Sequence, residues 1–217
     1  LGRAGDIDGA IAVVDEAVSL GTELIVTHHP ILFHARKNLR EDDPEGELLC
    51  RLIRARLSLI AAHTNFDNAP WGMSDALAEA LELEGVAALP NGLRIGRLYQ
   101  SMSVPQLCSF VCARLGGVPR VYLAGQELIA KVAVCGGAGG SFYDLAAHAG
   151  ADAYITGEVR HHEALAAAAL GLAIVEAGHR ETELVGINAL ADCLQNKLDA
   201  LQYKVSVIRS AVSPFGR

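Results

Sequence analysis

Apolar residues recur along the chain in two rhythms, and their alternation lays out the elements. Ile7 to Leu20 carries apolar positions at helical spacing and stops at Gly21, a residue suited to the position just past a helix. Glu23 to Thr27 is a short β-type run closed by His28-His29-Pro30. A helix is expected over Glu47 to Arg56 and a strand over Leu57 to Ala62. A second helix runs from about Ser74, read as its N-cap, to Leu83. From Gly92 to Ala130 the pattern is less regular, except that Ser103-Val104-Pro105 opens a helix through Arg114, since proline is tolerated in a first turn. Ile129 to Cys135 reads as a strand that enters Gly136-Gly137-Ala138-Gly139-Gly140-Ser141 and then a helix to His148. Ala153 to Thr156 and Leu172 to Glu176 are further strands. The helix after the first contains His161 and His162; the helix after the second carries Glu183 and runs to about Lys197. Tyr203 to Ile208 is expected to be a final strand.

Strands alternating with helices predict an α/β protein with mainly parallel sheets covered by helices. In such sheets ligands bind outside the carboxyl ends of the strands. Those ends carry His28, His29, His63, Asp67, Glu158, His162, His179 and Glu183. Of the 8 histidines, His28, His29, His63, His161, His162 and His179 all lie on or close to a strand end, where chance would also scatter them elsewhere.

Each piece has a plain structural explanation when taken alone. His28-His29 could be a polar strand cap, because adjacent residues on an extended strand point to opposite faces; past the end, where Pro30 turns the backbone, both rings can reach one region. His179 and Glu183, four apart, share one helix face and make a workable platform for a divalent ion, or a surface pair near a helix N-terminus. Asp67, in His63-Thr64-Asn65-Phe66-Asp67, would ordinarily close a turn through its own side chain. Together they form a mixed imidazole and carboxylate set at one expected edge, which suits zinc, manganese, iron, cobalt or nickel. The glycine run at 136–140 matches neither spaced phosphate-binding signature and reads as a tight strand-to-helix turn. Trp71 is expected to anchor the loop after Asp67, with an exposed indole that could stack on a base as the alternative, and Ala164 to Ala169 to be closely packed helix.

Charge and cysteines narrow the setting. With 18 Lys and Arg against 25 Asp and Glu, the net charge is −7, which disfavours non-specific nucleic-acid binding. Cys50, Cys108, Cys112, Cys135 and Cys193 contain no C-x-x-C pair and read as reduced residues of a cytoplasmic protein. Cys108 and Cys112, one turn apart, are expected to be core thiols on one helix face. No stretch reaches the roughly 18 to 20 apolar residues of a membrane span, and no signal peptide is expected.

Thr27-His28-His29-Pro30-Ile31-Leu32-Phe33, Ala62-His63-Thr64-Asn65-Phe66-Asp67, Thr156-Gly157-Glu158 with His162, and Gly178-His179-Arg180-Glu181-Thr182-Glu183 resemble, in order and spacing, the Nif-three-like family. Its members carry the name GTP cyclohydrolase I type 2 homologue. The resemblance covers nearly the whole chain and implies a two-lobed fold, with lobes over 1–100 and 101–217 that interleave. It also implies a dinuclear metal site between the lobes and a toroidal homohexamer. It places His28, His29, Asp67, His179 and Glu183 on the family's ligands to two divalent metal ions, with Glu183 bridging. His63 and His162 fall on cavity histidines that could transfer protons. The family's opening segment, with a Trp-Asp-Asn-type motif and a first strand, has no counterpart before Ile7, so an unpaired sheet edge is expected there. The inserted domain of longer members has no counterpart either.

Two dications bring four positive charges, of which Asp67 and Glu183 offset two. The remaining field would acidify water and attract an anionic small-molecule substrate. The leading expectation is a hydrolase of a nucleotide-like or phosphorylated compound, with GTP ring opening as the version that the family name suggests. The other class is a non-catalytic, ring-shaped metal-binding or adaptor protein. A nucleotide-binding regulator using the glycine run is a third.

Overall fold

A computed structural model describes residues 7–125 and 127–212. The chain divides into two compact units, one formed by the residues up to Asn65 with those from Ile208 onward, the other by Phe66–Val207.

In the first unit α1 (Ile7–Ser19) leads into β1 (Leu24–Thr27), and α2 (Pro44–Ala55) into β2 (Ser58–Ala61). The two strands pair in parallel, Leu24 opposite Ser58 and Thr27 opposite Ala61. Ala10, Val14 and Ala17 of α1, Ile25 of β1, and Leu48 and Leu52 of α2 bury together as this unit's core. That seam follows from the helical spacing of apolar residues in both helices. Asp43 caps α2 by accepting from the Gly46 amide at 3.1 Å, and Pro44 occupies the first helical position. Between β1 and α2, Arg36 pairs with Asp43 and Glu45, tying the long connection to the start of α2.

The chain passes through α3 (Thr64–Asp67) into the second unit, which holds α4 (Met73–Ala80), β3 (Glu84–Ala88), β4 (Arg94–Met102), α5 (Val104–Leu115), β5 (Arg120–Tyr122), β6 (Ile129–Cys135), α6 (Tyr143–His148), β7 (Ala153–Thr156), α7 (His161–Ala169), β8 (Ala173–Glu176) and α8 (His179–Ala200). Six strands form one sheet in the order β3-β4-β6-β7-β8-β5. Its centre is parallel, β6 to β7 to β8, because each crossover there contains a helix. Its margins are antiparallel, with β3 on β4, β4 on β6, and β5 on β8. The expectation of mainly parallel sheets is therefore corrected to a mixed sheet. The stretch read as irregular contains two of the three marginal strands, β4 and β5, with β3 just before it: Arg94, Gly96, Arg97 and Gln100 break the apolar run of β4, and β5 is three residues long.

The central strands are mostly apolar because both faces are covered, with Lys131, Thr156 and Glu176 among the exceptions. Val132, Val134, Ala153, Ile155 and Val175 face one core with Leu77, Leu81, Leu107 and Val111 of the α4 and α5 region. Ala133, Cys135, Tyr154 and Ile174 face the other with Ala146 of α6 and Ala167 of α7. Alternate residues of one strand thus serve opposite cores.

Three local expectations change. Ser74 lies inside α4 and is buried, and Gly72 is the N-cap. Residues 203–212 form no strand; the Gln195 side chain donates to the Val205 carbonyl at 3.2 Å and accepts from the Val207 amide at 2.7 Å, taking backbone groups that a strand would pair. Cys112 is exposed and Cys108 half-buried, so they are not a pair of core thiols. The expected gap before Ile7 lies outside the described residues.

Candidate metal centre

At the ends of β1 and β2 the chain leaves the sheet, and parallel pairing of these strands brings both ends to one edge. His28, His29 and His63 consequently meet there. Ring centroids are 5.2 Å apart for His28 and His29, 5.0 Å for His28 and His63, and 5.3 Å for His29 and His63. Each offers a nitrogen within 4.8 Å of the others. His28 is buried, and its Nδ1 lies 2.7 Å from the Ala62 carbonyl oxygen. A carbonyl only accepts, so the proton sits on Nδ1 and Nε2 keeps its lone pair.

In the second unit, β8 ends at Glu176, Gly178 takes a φ of +98°, and α8 begins at His179. Helical spacing places His179 Nε2 3.0 Å from Glu183 Oε1. On the other side of the ring, Nδ1 lies 2.9 Å from Glu158 Oε1. The Glu183 carboxylate, then Glu158, raise the His179 imidazolium to about 9 against the opposing effect of burial. A metal ion at Nε2 would replace a proton held there by a carboxylate.

The glycine run after β6 supports this pair from below. Gly137, at φ +63°, presses so close that a β-carbon there would stand 2.5 Å from Glu183 Oε1 and 3.3 Å from His179 Nε2. Its amide donates to Thr182 Oγ1 at 3.1 Å, and its carbonyl accepts from the Gly157 and Glu158 amides at 2.9 and 3.0 Å. The Gly140 amide donates to the Glu158 carbonyl at 3.1 Å, and the buried Tyr154 hydroxyl donates to the Gly139 carbonyl at 2.8 Å. With these amides engaged inside the protein, the run behaves as a tight turn.

Asp67 ends α3, partly buried, where its backbone carbonyl lies against Gly92. The loop after it is held by a buried guanidinium. Arg94 donates to the Ala69 carbonyl at 3.3 Å and to Asp75 Oδ2 at 3.0 Å, and Asp75 Oδ2 accepts from the Trp71 amide at 2.7 Å. Arg94 beside it holds the Asp75 carboxyl below the usual carboxylate range. Trp71 is not the anchor expected of it: at φ +64° its side chain turns outward and is 87% exposed. His162 stands exposed in the first turn of α7.

The histidine trio and the His179–Glu183 pair offer the nitrogen and oxygen donors that divalent transition metals take. Sequence reading placed Glu158 at a strand end without giving it a role. The signal was the Thr156-Gly157-Glu158 motif, but only the fold shows which ring it meets.

The sequence model of the family described as Duf34/NIF3 (NGG1p interacting factor 3) matches residues 6–214. A protein of Streptomyces coelicolor named GTP cyclohydrolase 1 type 2 homolog is 37% identical over 191 residues, covering 82% of this chain and 67% of that one. A protein of the same name from Nostoc sp. is 31% identical over 195 residues, covering 86% and 74%. Among solved structures, a Bacillus cereus protein related to NIF3 shares the fold with a TM-score of 0.87 at 24% identity, over 93% of this chain and 84% of that one. Reduced HcgD from Methanocaldococcus jannaschii superposes with a TM-score of 0.76 at 30% identity, over 88% and 77%.

Proposed function

Since the chain belongs to the Duf34/NIF3 family, we propose that it is a dinuclear-metal-dependent hydrolase of an anionic, nucleotide-like or phosphorylated small molecule. In this reading His28, His29, Asp67, His179 and Glu183 hold two divalent ions drawn from zinc, iron, manganese, cobalt and nickel. The observation that carries it is the convergence of three imidazoles at one sheet edge, with the His28 proton already committed to the Ala62 carbonyl. A cluster of histidines around a common point is costly once any two are protonated, whereas a cation turns their lone pairs into an asset.

Bound ions would supply Lewis acidity, lowering the pKa of water and drawing in an anion that the acidic chain otherwise repels. The chain's own residues do the rest. The Ala62 carbonyl orients His28, and Gly137 leaves room for Glu183. His63, beside both other rings, can take or return a proton at a ring nitrogen, and His162 is the second candidate for that exchange. GTP ring opening, named for the relatives, is the specific reaction proposed first. The working form proposed is a cytoplasmic homohexameric ring. Among the described residues no helix is long and apolar enough to cross a membrane.

Elemental analysis of purified protein beside Asp67→Ala and Glu183→Ala is the deciding measurement. Two transition-metal ions per chain in the wild type, lost in both variants, support the site. A substrate screen with and without chelator then tests hydrolysis. Metal near zero after reconstitution would remove the reading. Full metal with no chelator-sensitive turnover would leave a metal-binding adaptor.

A further inference from the structure

Glu158 lies outside the proposed ligand set, yet it holds the ring that begins α8. Its carboxylate oxygen is 2.9 Å from His179 Nδ1, on the opposite side of the imidazole from Glu183. The backbone of Glu158 is fixed at both polar groups: its amide donates to Gly137 O at 3.0 Å and its carbonyl accepts from Gly140 N at 3.1 Å. Glu158 is therefore carried by the same glycine turn that presses against Glu183. Gly157 must be small for this arrangement, because a β-carbon there would stand 2.5 Å from Gly137 O and 2.8 Å from the His179 α-carbon.

A carboxylate accepts and does not donate, so its bond to Nδ1 keeps a proton on that nitrogen and leaves Nε2, which faces Glu183, as the nitrogen that a cation would take in place of a proton. The Ala62 carbonyl does the same for His28 with a neutral acceptor. A charged acceptor also raises the electron density of the ring it supports, which strengthens the opposite nitrogen as a donor.

Resting on the metal reading above, we propose that Glu158 is the positioning residue of His179, setting its tautomer and ring orientation so that Nε2 ligates a divalent cation. It touches neither substrate nor ion itself.

The probe is zinc alone, titrated into metal-free full-length protein against a chromophoric chelator, for wild type, Glu158→Gln and Glu158→Ala. Zinc affinity is expected to fall roughly 10- to 100-fold in Glu158→Ala. Glu158→Gln, which keeps an acceptor without the charge, should recover part of that loss. Nitrogen-labelled histidine spectra of the zinc-loaded protein should show one downfield Nδ1 proton that Glu158→Ala lacks. Melting of the metal-free variants should stay at the wild-type temperature. Zinc bound equally by wild type and Glu158→Ala would overturn the positioning role while leaving the metal reading intact. Equal losses in both variants with lowered melting of the metal-free forms would also overturn it, assigning Glu158 to general stability. A wild type that takes up no zinc would overturn the metal reading, and this inference with it.

Discussion

At the residue scale, the site depends on a glycine that presents no side chain. Gly137→Ala would place a methyl group 2.5 Å from Glu183 Oε1 and force an L-residue to a φ of +63°. The left-handed backbone costs about 1–2 kcal/mol, and the carboxylate must swing away from His179. Zinc affinity is expected to drop about tenfold or more, in the range of losses around metal ligands, while calorimetry records only the small backbone cost. Loss of stability without loss of zinc would show that Glu183 does not need that space. His179 makes a separate prediction for the metal-free protein. Its pKa is raised from 6.5 to about 9, mainly by the Glu183 carboxylate. The stability this contributes is complete below the unfolded value near 6.5 and is lost as pH rises through about 9. The melting advantage of wild type over Glu183→Gln should shrink across that window, and an advantage that is flat with pH would mean the pair does not form.

At the element scale, two contacts decide how the sheet presents its loops. Arg94 sits at the start of β4 with its side chain only 6% exposed, paired with Asp75 in the first turn of α4. Asp75→Ala would leave that guanidinium buried with backbone carbonyls alone. Breaking one side of such a pair costs roughly 3–5 kcal/mol, readable as a lowered denaturation midpoint. A change within about 0.5 kcal/mol, the range of ordinary surface substitutions, would mean that solvent reaches Arg94. The helices α4 and α8 meet at Gly186, where a β-carbon would lie 2.2 Å from the Met73 sulfur. Little of this was legible beforehand. β6, β7 and β8 announce themselves because buried central strands are continuous apolar runs. β4 does not, since Arg94, Arg97, Gln100 and Ser101 interrupt its apolar residues, and of these only Arg94 is buried. The Tyr203–Ile208 stretch fails for the opposite reason. Its composition fits a strand, but the Gln195 side chain takes the backbone groups that a neighbouring strand would need.

At the scale of the molecule, the five cysteines are free, as their spacing suggested, and their surroundings rank their reactivity. Burial pushes the Cys135 thiol up to about 11, whereas Cys112 and Cys193 are exposed. A disulfide reagent should titrate Cys112 and Cys193 quickly and reach Cys135 only on unfolding. Rapid reaction of Cys135 in the native protein would mean that the sheet face bearing it opens easily. The mixed sheet also has a plain physical origin. Helical crossovers make β6, β7 and β8 parallel, while a short turn through Pro90–Gly92 reverses the chain from β3 to β4, and β4 and β5 reach β6 and β8 antiparallel after longer excursions.

What the sequence determined by itself was chemical identity and order: which side chains stand at strand ends, which runs are buried on both faces, and which family the motifs belong to. Those follow from spacing along the chain, and spacing is local. Tertiary structure decided the rest, because it depends on which distant segments meet. Parallel pairing of β1 with β2 brought His63 to His28 and His29. The turn after β6 set Glu158 against His179 and left Gly137 no room for a side chain. Arg94, a charge in an apparently irregular stretch, became the buried anchor of the loop after Asp67 because folding brought Asp75 and the Ala69 carbonyl to it.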